Sequence, residues 1–221
     1  MDKILHDIEK WIKSSEGRII IGISGHGASG KTTFATKLIT LLGQENVNYI
    51  NTDTYIVGSY LRKNTVIDYE YEGEKHQYKM TACHPDAHQT FALERDLNMI
   101  RDGLDVYSIG TNYVESSLIS SQKKINIVEG MSVAFVDPNL FDLKLYFYTD
   151  GDTELSRRGI RDVNERGMDM DFLMHSHNER RIQYEVFMHP YHQNFDMVIK
   201  SSDEEVIVEK DTITSLASSH E

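Results

Sequence analysis

The segment that most constrains this chain is GHGASGKT, residues 25–32. It fits the phosphate-binding loop pattern G-x-x-x-x-G-K-[ST] at every position. Glycines allow the backbone to wrap around a polyphosphate and to point its N–H groups inward. Lys31 has the length to reach the terminal phosphates, and the Thr32 hydroxyl is a ligand for Mg²⁺. A helix should begin at this loop, because the N-terminus of a helix favours anions.

The residues on both sides of the loop support this interpretation. Residues 18–24 form a short β-branched run, which is typical of a buried parallel strand. Apolar residues then recur at helical spacing up to a plausible C-cap at Gly43, namely Phe34, Leu38, Leu41 and Leu42. The alternative is a glycine-rich turn that contains Gly-Lys-Thr by chance. A strand, a glycine loop and a helix in this order favour the phosphate-binding loop.

The rest of the chain predicts an α/β fold with a mostly parallel sheet. An apolar stripe with Trp11 predicts a helix over residues 2–14, packed on the domain. Further strands are predicted at 47–51, 125–128, 143–148 and 197–199, and further helices after Asp86 and over 153–165. We expect a single domain over residues 1–205, with a polar loop or flap at 58–80 and a lid at about 153–170. Residues 206–221 are expected to form a C-terminal tail.

Composition narrows the classes of protein and of partner. The length of 221 residues suits one α/β domain. The formal net charge of −12 argues against a nucleic-acid-binding surface, although a local phosphate pocket is compatible with it. No apolar run is long enough to span a bilayer, so no membrane partner is expected. With Cys83 as the single cysteine, the cytoplasm is the expected compartment. A homo-oligomer is left open.

Two carboxylates follow predicted strands, where a parallel sheet places its ligands. Asp53 comes after the strand at 47–51, and such a carboxylate can accept the proton of an attacking hydroxyl or help to hold Mg²⁺. Glu129 closes the strand at 125–128 and resembles the second metal-binding acid of phosphate-loop proteins. The alternative for Asp53 is an aspartate that only stabilises a turn, and the alternative for Glu129 is an ordinary acid at the end of a strand.

Arginines cluster after residue 156. Arg161 comes four residues after Arg157 and three after Arg158, so the three share a helix side, and Arg166 follows. Such a cluster can close over ATP as a lid. The alternative is a solvated helix whose arginines pair with nearby acids. Beside the phosphate loop, the lid is the better interpretation.

The histidines suggest two further points. His175, His177, His189 and His192 could be drawn as a metal site, but an i, i+2 pair diverges on a helix, and no cysteine or acid completes a zinc spacing. His26 occupies a variable position of the loop and is expected to contribute mainly its backbone N–H.

Taken together, these residues resemble the uridine kinase and phosphoribulokinase family of P-loop kinases. Residues 25–33 resemble the family's G-x-x-x-S-G-K-T/S-T loop, and Asp53-Thr54-Tyr55 is similar to its D-S-F element. His84-Pro85-Asp86-Ala87 matches its H-P-D-A element, and Ile127-Val128-Glu129-Gly130 matches its strand-E-G element. The arginine pattern from residue 157 to 167 matches its lid, and residues 195–199 resemble its terminal strand. The similarity runs from about residue 17 to 200.

The resemblance implies a five-stranded parallel sheet flanked by helices, with a mobile lid. It implies ATP and Mg²⁺ as cofactors, with Asp53 as the base. The metal would be organised by Thr32, Asp53 and Glu129. Charge on the phosphates would be stabilised by Lys31, Arg158, Arg161 and Arg166, above all by Lys31 and Arg161 during transfer. The nucleotide phosphates would be cradled by Gly25, His26, Gly27, Ala28, Ser29, Gly30, Lys31, Thr32 and Thr33.

The departures from the family pattern fall in the acceptor pocket. The acceptor is expected to contact Asp53, Tyr55, Cys83, Asp86 and Tyr113. Cys83 stands where uridine kinases have an aspartate for the ribose hydroxyls, and Ile56 replaces an aromatic residue. Met168 replaces the arginine that usually follows the lid. A site that hydrogen-bonds particular hydroxyls loses discrimination when these partners change.

Three functional hypotheses follow. The first is an ATP-dependent kinase of uridine or cytidine. The second is a kinase of the same fold that acts on another hydroxyl metabolite, such as a sugar phosphate, glycerate or a vitamin precursor. The third is a non-catalytic nucleotide-binding regulatory protein. It is weakened because the sequence has no N-K-x-D element for guanine, no D-x-x-G switch and no L-S-G-G-Q signature.

Overall fold

The computed structural model describes residues 1–112, 114–160 and 169–213. The strands in these residues are β1 (Ile19–Gly25), β2 (Val47–Asn51), β3 (Val66–Tyr71), β4 (Glu74–Lys79), β5 (Val106–Tyr107), β6 (Leu118–Ile119), β7 (Ile125–Glu129), β8 (Leu143–Tyr148), β9 (Met197–Ser201) and β10 (Val206–Asp211). The helices are α1 (Asp2–Ser14), α2 (Lys31–Leu42), α3 (Ser59–Asn64), α4 (Thr90–Arg101), α5 (Gly151–Arg158) and α6 (Met170–Gln183).

The predicted α/β fold with a mainly parallel sheet is confirmed. Six strands form the central sheet in the order β10-β9-β8-β1-β7-β2. β1 pairs in parallel with both β7 and β8, and β2 and β9 extend the parallel part on either side. All seven residues of β1 are buried, as expected of a strand covered on both faces. Because these strands run in one direction, the carboxyl ends of β1, β7 and β2 meet at one edge.

Two apolar layers cover the sheet. On one face, Ile8, Trp11 and Leu38 of α1 and α2 pack against β1, β7 and β8. On the other face, Leu93 and Leu97 of α4 pack against the opposite sides of the strands. The observed α1 begins and ends at the residues that the apolar stripe predicts. Burial of these faces is the main stabilising contribution of the fold.

The sheet extends further along the chain than the sequence predicts. We expected five strands and a tail from residue 206, but β10 pairs antiparallel with β9 and adds a sixth strand. β10 is an edge strand with mostly exposed residues, and its register shifts between Val208 and Lys210. Both features weaken the alternation of apolar and polar residues by which a strand is recognised.

The polar segment at 58–80 contains regular structure. α3 is followed by a hairpin of β3 and β4, which turns at Glu72 and Gly73, both with positive φ. The hairpin contacts α6, because Tyr69 donates to Glu179 Oε2 at 2.5 Å and Gln183 Nε2 donates to Lys79 O at 3.0 Å.

The arginine-rich helix predicted over 153–165 is represented by α5, which ends at Arg158. Residues 161–168, the centre of the predicted lid, lie outside the described residues. Within the described ranges, no helix has both the length and the apolar character needed to cross a membrane.

Candidate active site

The loop between β1 and α2 has the backbone of an anion cradle. Ala28 and Gly30 adopt left-handed conformations, with φ of 66° and 93°, and successive turns of this kind point N–H groups into a concavity. Gly25 leaves no room for a side chain, since a Cβ there would lie 1.9 Å from the carbonyl oxygen of Phe147. A Cβ on Gly27 would meet no heavy atom within 4 Å. The glycine pattern thus permits close approach to β8 and leaves the mouth of the loop open.

The side chain of His26 fixes the loop to the end of β8. It is 1% exposed, and its Nε2 accepts the backbone N–H of Thr149 at 3.0 Å. The hydrogen of the neutral ring therefore sits on Nδ1, which donates to Gly27 O at 2.8 Å. We expected His26 to contribute mainly its backbone. This expectation missed a buried side chain that holds the loop in position.

His26 faces a buried polar cluster on α5 and α6. Its Nδ1 lies 3.5 Å from Glu154 Oε2, and its ring packs edge-on against Tyr184. Arg181 donates to Thr149 O at 2.8 Å and also contacts Glu154. Burial lowers the pKa of His26 to about 4, against the opposing charge of Glu154, so the ring is neutral near pH 7.

Glu129, the last residue of β7, lies beside the phosphate-binding loop. It is 3% exposed, and its Oε2 accepts hydrogen bonds from Tyr49 at 2.8 Å and from Thr32 Oγ1 at 3.2 Å. Lys31 Nζ lies 3.7 Å from its Oε1. Burial and the Glu129 carboxylate raise the pKa of Tyr49, which keeps that phenol a donor. A buried carboxylate beside a hydroxyl is an oxygen donor set that suits Mg²⁺.

Asp53 stands at the neighbouring strand end. It follows β2 in a short turn, Thr52–Tyr55, in which its backbone N–H donates to Asn51 Oδ1 at 2.8 Å. Gly130, next to Glu129, packs so closely on this turn that a Cβ would lie 2.1 Å from Thr52 Oγ1. The turn therefore holds Asp53 on the same edge of the sheet as Lys31.

Two clefts meet at Lys31 and Asp53, which line both of them. The first, which we call the donor cleft, has a volume of about 660 Å³ and is also lined by Met1, Ala28, Gly30, Thr32, Thr33, Asn51, Glu129, Arg157 and Ser201. Most of the predicted phosphate-cradle residues therefore lie on one surface. The other four do not line this cleft: Gly25 packs on β8, His26 and Ser29 are buried, and Gly27 lines a second cleft. The hydroxyl of Ser29 finds no hydrogen-bond partner among the described residues.

Arg157 contributes to the donor cleft, although the predicted site residues do not include it. Its Nη1 donates to Ala28 O and Ser201 O, both at 3.3 Å, and its Nε donates to Asp203 at 2.8 Å. Arg158 lies on the buried side of α5, 2% exposed and 3.6 Å from Glu154. Neighbouring helix positions point in different directions, so the motif alone does not tell which arginine faces the loop.

The second cleft, which we call the acceptor cleft, has a volume of about 630 Å³. Besides Lys31 and Asp53, it is lined by Gly27, Ile56, Val57, Gly58, Ser59, Arg62, Ala82, Thr111, Val114, Met131 and Arg180. Sequence reasoning missed Arg62 and Arg180. Arg62 belongs to the segment predicted as a polar loop or flap, and Arg180 lies outside every motif, so no local signal in the sequence identifies either residue.

Several residues predicted to contact the acceptor lie elsewhere. Tyr55 is 1% exposed, and its hydroxyl donates to Asp96 Oδ2 at 2.6 Å in the core. Cys83 is buried in the same core, and burial raises the pKa of its thiol to about 11. Asp86 lies in a different depression with Pro85, and its side chain is 81% exposed. Of the predicted contacts to the acceptor, Asp53 alone among the described residues lines the acceptor cleft.

Three predicted site residues cannot be placed in this way. Tyr113, Arg161 and Arg166 lie outside the described residues. Their roles in the acceptor pocket and in the lid stay predictions.

Comparison with known proteins agrees with this geometry. The profile of the phosphoribulokinase / uridine kinase family matches residues 20–208. The chain is 29% identical over 191 residues to a uridine kinase of Clostridium perfringens, covering 82% of this chain and 86% of the relative. It is 28% identical over 197 residues to uridine-cytidine kinase 2-B of Danio rerio, covering 85% and 72%.

Solved structures with the same fold are more distant in sequence. Phosphoribulokinase from Rhodobacter spheroides superposes with a TM-score of 0.60 at 15% identity, covering 84% of this chain and 71% of that one. D-glycerate 3-kinase from Cryptococcus neoformans superposes with a TM-score of 0.60 at 11% identity, covering 94% and 96%. The family match spans nearly all of the central sheet and both clefts, so the chain belongs to the phosphoribulokinase / uridine kinase family and is a small-molecule kinase.

Proposed function

We propose that this protein moves the γ-phosphate of ATP to a hydroxyl group of a small metabolite. The observation that carries the proposal is the junction of the two clefts. Lys31, the cation of the phosphate loop, and Asp53, a carboxylate at a strand end, line both of them. Phosphoryl transfer needs a donor phosphate and an acceptor hydroxyl on opposite sides of such a junction.

On the donor side, the loop amides and Lys31 bind the β- and γ-phosphates. Thr32 and Glu129, whose oxygens lie 3.2 Å apart, would hold Mg²⁺ together with Asp53. When bound, that ion neutralises charge on the phosphates. Arg157 is added to the donor side because it lines the cleft. Arg161 and Arg166 keep their proposed role in the lid, whereas Arg158, predicted for the same role, is buried beside Glu154 and lines neither cleft.

On the acceptor side, Asp53 orients the hydroxyl and takes its proton. The hydroxyl oxygen forms a bond to the γ-phosphorus while the bond from that phosphorus to the β,γ-bridging oxygen breaks. ADP leaves with the electron pair of the broken bond, and the phosphorylated alcohol leaves with the phosphoryl group. Lys31 stabilises the charge that moves onto the leaving oxygen.

For the acceptor, uridine or cytidine is the first candidate, because relatives at 28–29% identity are named for these nucleosides. A non-nucleoside alcohol is the second candidate. It is favoured because Tyr55 and Cys83, two of the contacts predicted for a nucleoside acceptor, are buried in the core. The acceptor cleft has the apolar surface of Ile56 and Ala82 where these contacts were expected.

The test is a panel of alcohols with ATP and Mg²⁺, in which ADP release and the phosphorylated product are both measured. We expect at least one small alcohol to be phosphorylated by the wild type, and none by Lys31→Ala. ATP hydrolysis that no alcohol accelerates would contradict the proposal. Localisation in the cytoplasm and assembly into a homo-oligomer stay predictions.

A further inference from the structure

A tyrosine of β2 lies next to the carboxylate at the end of β7. Tyr49 is paired with Ile127 across these parallel strands, and Asn51 is paired with Glu129. Side chains alternate between the two faces of a strand, so Tyr49 and Glu129 lie on the same face of the sheet. The register therefore places the phenol of Tyr49 beside a carboxylate two residues beyond its own partner.

The ring of Tyr49 is held in the apolar layer between the sheet and α2. It packs against the buried cluster to which Ile127 and Leu38 belong. Its hydroxyl donates to Glu129 Oε2 at 2.8 Å. A ring packed in this way leaves the hydroxyl little freedom, so Tyr49 presents a donor in a fixed position.

The Glu129 carboxylate is held by one of its two oxygens. Oε2 accepts from Tyr49 and from Thr32 Oγ1 at 3.2 Å, while Oε1 lies 3.7 Å from Lys31 Nζ, beyond hydrogen-bond distance. Glu129 lines the donor cleft, and Tyr49 is not among the described residues that line it. Tyr49 can therefore influence a ligand in the donor cleft by orienting Glu129, without contact to the ligand itself.

We propose that Tyr49 is a positioning residue of the metal site, whose hydroxyl orients the Glu129 carboxylate before Mg²⁺ and the nucleotide bind. This inference rests on the proposed function, in which Thr32, Asp53 and Glu129 hold the ion. Hydrogen bonds to a ligating carboxylate fix its orientation, and their loss typically weakens metal binding about 10- to 100-fold. Thr32 is itself a proposed ligand, so Tyr49 is the donor to Glu129 that does not belong to the ligand set.

The first experiment measures binding and does not depend on turnover. Calorimetry gives the Kd of ADP for wild type and for Tyr49→Phe, once with Mg²⁺ and once with EDTA. Tyr49→Phe keeps the ring and removes one oxygen, so it should weaken ADP binding about 10- to 100-fold with Mg²⁺ and by less than about twofold with EDTA. An equal loss in both conditions would overturn the inference, because Tyr49 would then support the loop and not the metal ligand.

A matched control removes a tyrosine hydroxyl from another glutamate. Tyr148 donates to Glu209 Oε1 at 2.6 Å, and neither residue is among those that line the two clefts. Tyr148→Phe should leave both Kd values at the wild-type level. Thermal unfolding of each variant verifies that it is folded.

A double-mutant cycle tests whether Tyr49 acts through Glu129. In a Glu129→Gln background, Tyr49→Phe should have little further effect on the Kd of ADP with Mg²⁺, since the carboxylate that it orients is already absent. Losses that add in the double variant would overturn the inference, because Tyr49 would then act by another route.

Turnover separates this inference from the proposed function. With an alcohol that the wild type phosphorylates, Tyr49→Phe should raise the free Mg²⁺ concentration for half-maximal ADP release about 10- to 100-fold and leave kcat at saturating Mg²⁺ within about threefold. Unchanged Mg²⁺ dependence overturns the role of Tyr49 and leaves the kinase. A Mg²⁺-specific loss of ADP binding, in a protein that phosphorylates no alcohol, overturns the proposed function and supports the role of Tyr49. If Mg²⁺ does not strengthen ADP binding by the wild type, there is no metal ligand to orient and the inference is overturned.

Discussion

The donor cleft and the acceptor cleft share Lys31 and Asp53 but are built in different ways. The donor cleft comes largely from one continuous segment, residues 25–33, and from strand ends beside it. The acceptor cleft combines short pieces from the loop, from α3, from the segment around Thr111 and from α6. A phosphate is recognised by backbone amides, which a local motif can supply. A particular alcohol is recognised by side chains that only the tertiary fold brings together.

The largest effect is expected where the two clefts meet. Lys31→Ala should reduce turnover below detection, because the γ-phosphate loses its cation at the point of transfer. ADP release with a saturating acceptor measures the effect. Lys37→Ala on the exposed side of α2 is the matched control and should retain wild-type turnover. Substantial turnover by Lys31→Ala would mean that another group supplies this charge.

Asp53→Asn tests the acceptor side of the same junction. The amide cannot take the proton of a hydroxyl, so kcat should fall by about 10²–10⁴-fold while ATP binding is retained. Asp102→Asn at the exposed end of α4 makes the same change away from the site. Stopped-assay kcat and calorimetric binding of ATP give the two quantities. If Asp53→Asn keeps the wild-type kcat, Asp53 is not the base.

The contrast between the clefts also explains what the sequence could predict. The strand, the glycine loop and the strand-end acids are local patterns, and parallel strands bring their carboxyl ends together. Lys31, Thr32, Asp53 and Glu129 therefore lie around one cleft, as the sequence predicts. Arg62 and Arg180 belong to segments without a motif, and only the packing of α3 and α6 brings them to the acceptor cleft.

The same reasoning applies to His26 and Tyr55. The partner of His26 is Thr149, more than a hundred residues away in sequence, so its burial could not be read from the loop. Tyr55 follows Asp53 closely, and proximity to the predicted base suggested a substrate contact. The turn instead directs its ring into the core, where Asp96 accepts from its hydroxyl. The position of a residue just after a strand predicts that it lies at the carboxyl edge of the sheet, but it does not predict which way its side chain points.

His26→Ala tests how far the donor cleft depends on a buried side chain. The substitution removes the acceptor of the Thr149 N–H and opens a cavity beside Tyr184. We expect the KM for ATP to rise about tenfold, and the free energy of unfolding to fall by roughly 2–4 kcal/mol. His6→Ala on the exposed side of α1 is the control and should alter neither quantity. A loss of stability with an unchanged KM for ATP would show that His26 stabilises the fold without positioning the loop.

Acid should destabilise the protein through its buried histidines. Burial lowers the pKa of His26 and that of His88 to about 4, from the ordinary histidine value of 6.5. The unfolded chain then binds more protons than the native one, so the stability due to each neutral ring is complete above pH 6.5 and is lost as the pH falls towards 4. Each histidine should lower the free energy of unfolding by about 2 kcal/mol between pH 7 and pH 5.

Urea unfolding at the two pH values measures this loss. His26→Gln keeps a hydrogen-bond acceptor near the Thr149 N–H but does not titrate. Its stability should therefore depend less steeply on pH than that of wild type. An unchanged pH dependence would mean that the native protein binds a proton on His26 as readily as the unfolded chain does.

The smallest effect is expected for Tyr55→Phe, which separates the core position of this residue from the predicted contact with the acceptor. The substitution removes the hydrogen bond to Asp96, whose carboxylate also lies 2.6 Å from Arg95 Nη2. Because Arg95 still pairs with that carboxylate, the free energy of unfolding should fall by only about 1 kcal/mol. The KM for the acceptor should stay at the wild-type value, since the hydroxyl faces the core. A KM for the acceptor that rises several-fold without a change in stability would contradict this expectation. Tyr55 would then line the acceptor cleft during turnover and would not belong to the core alone.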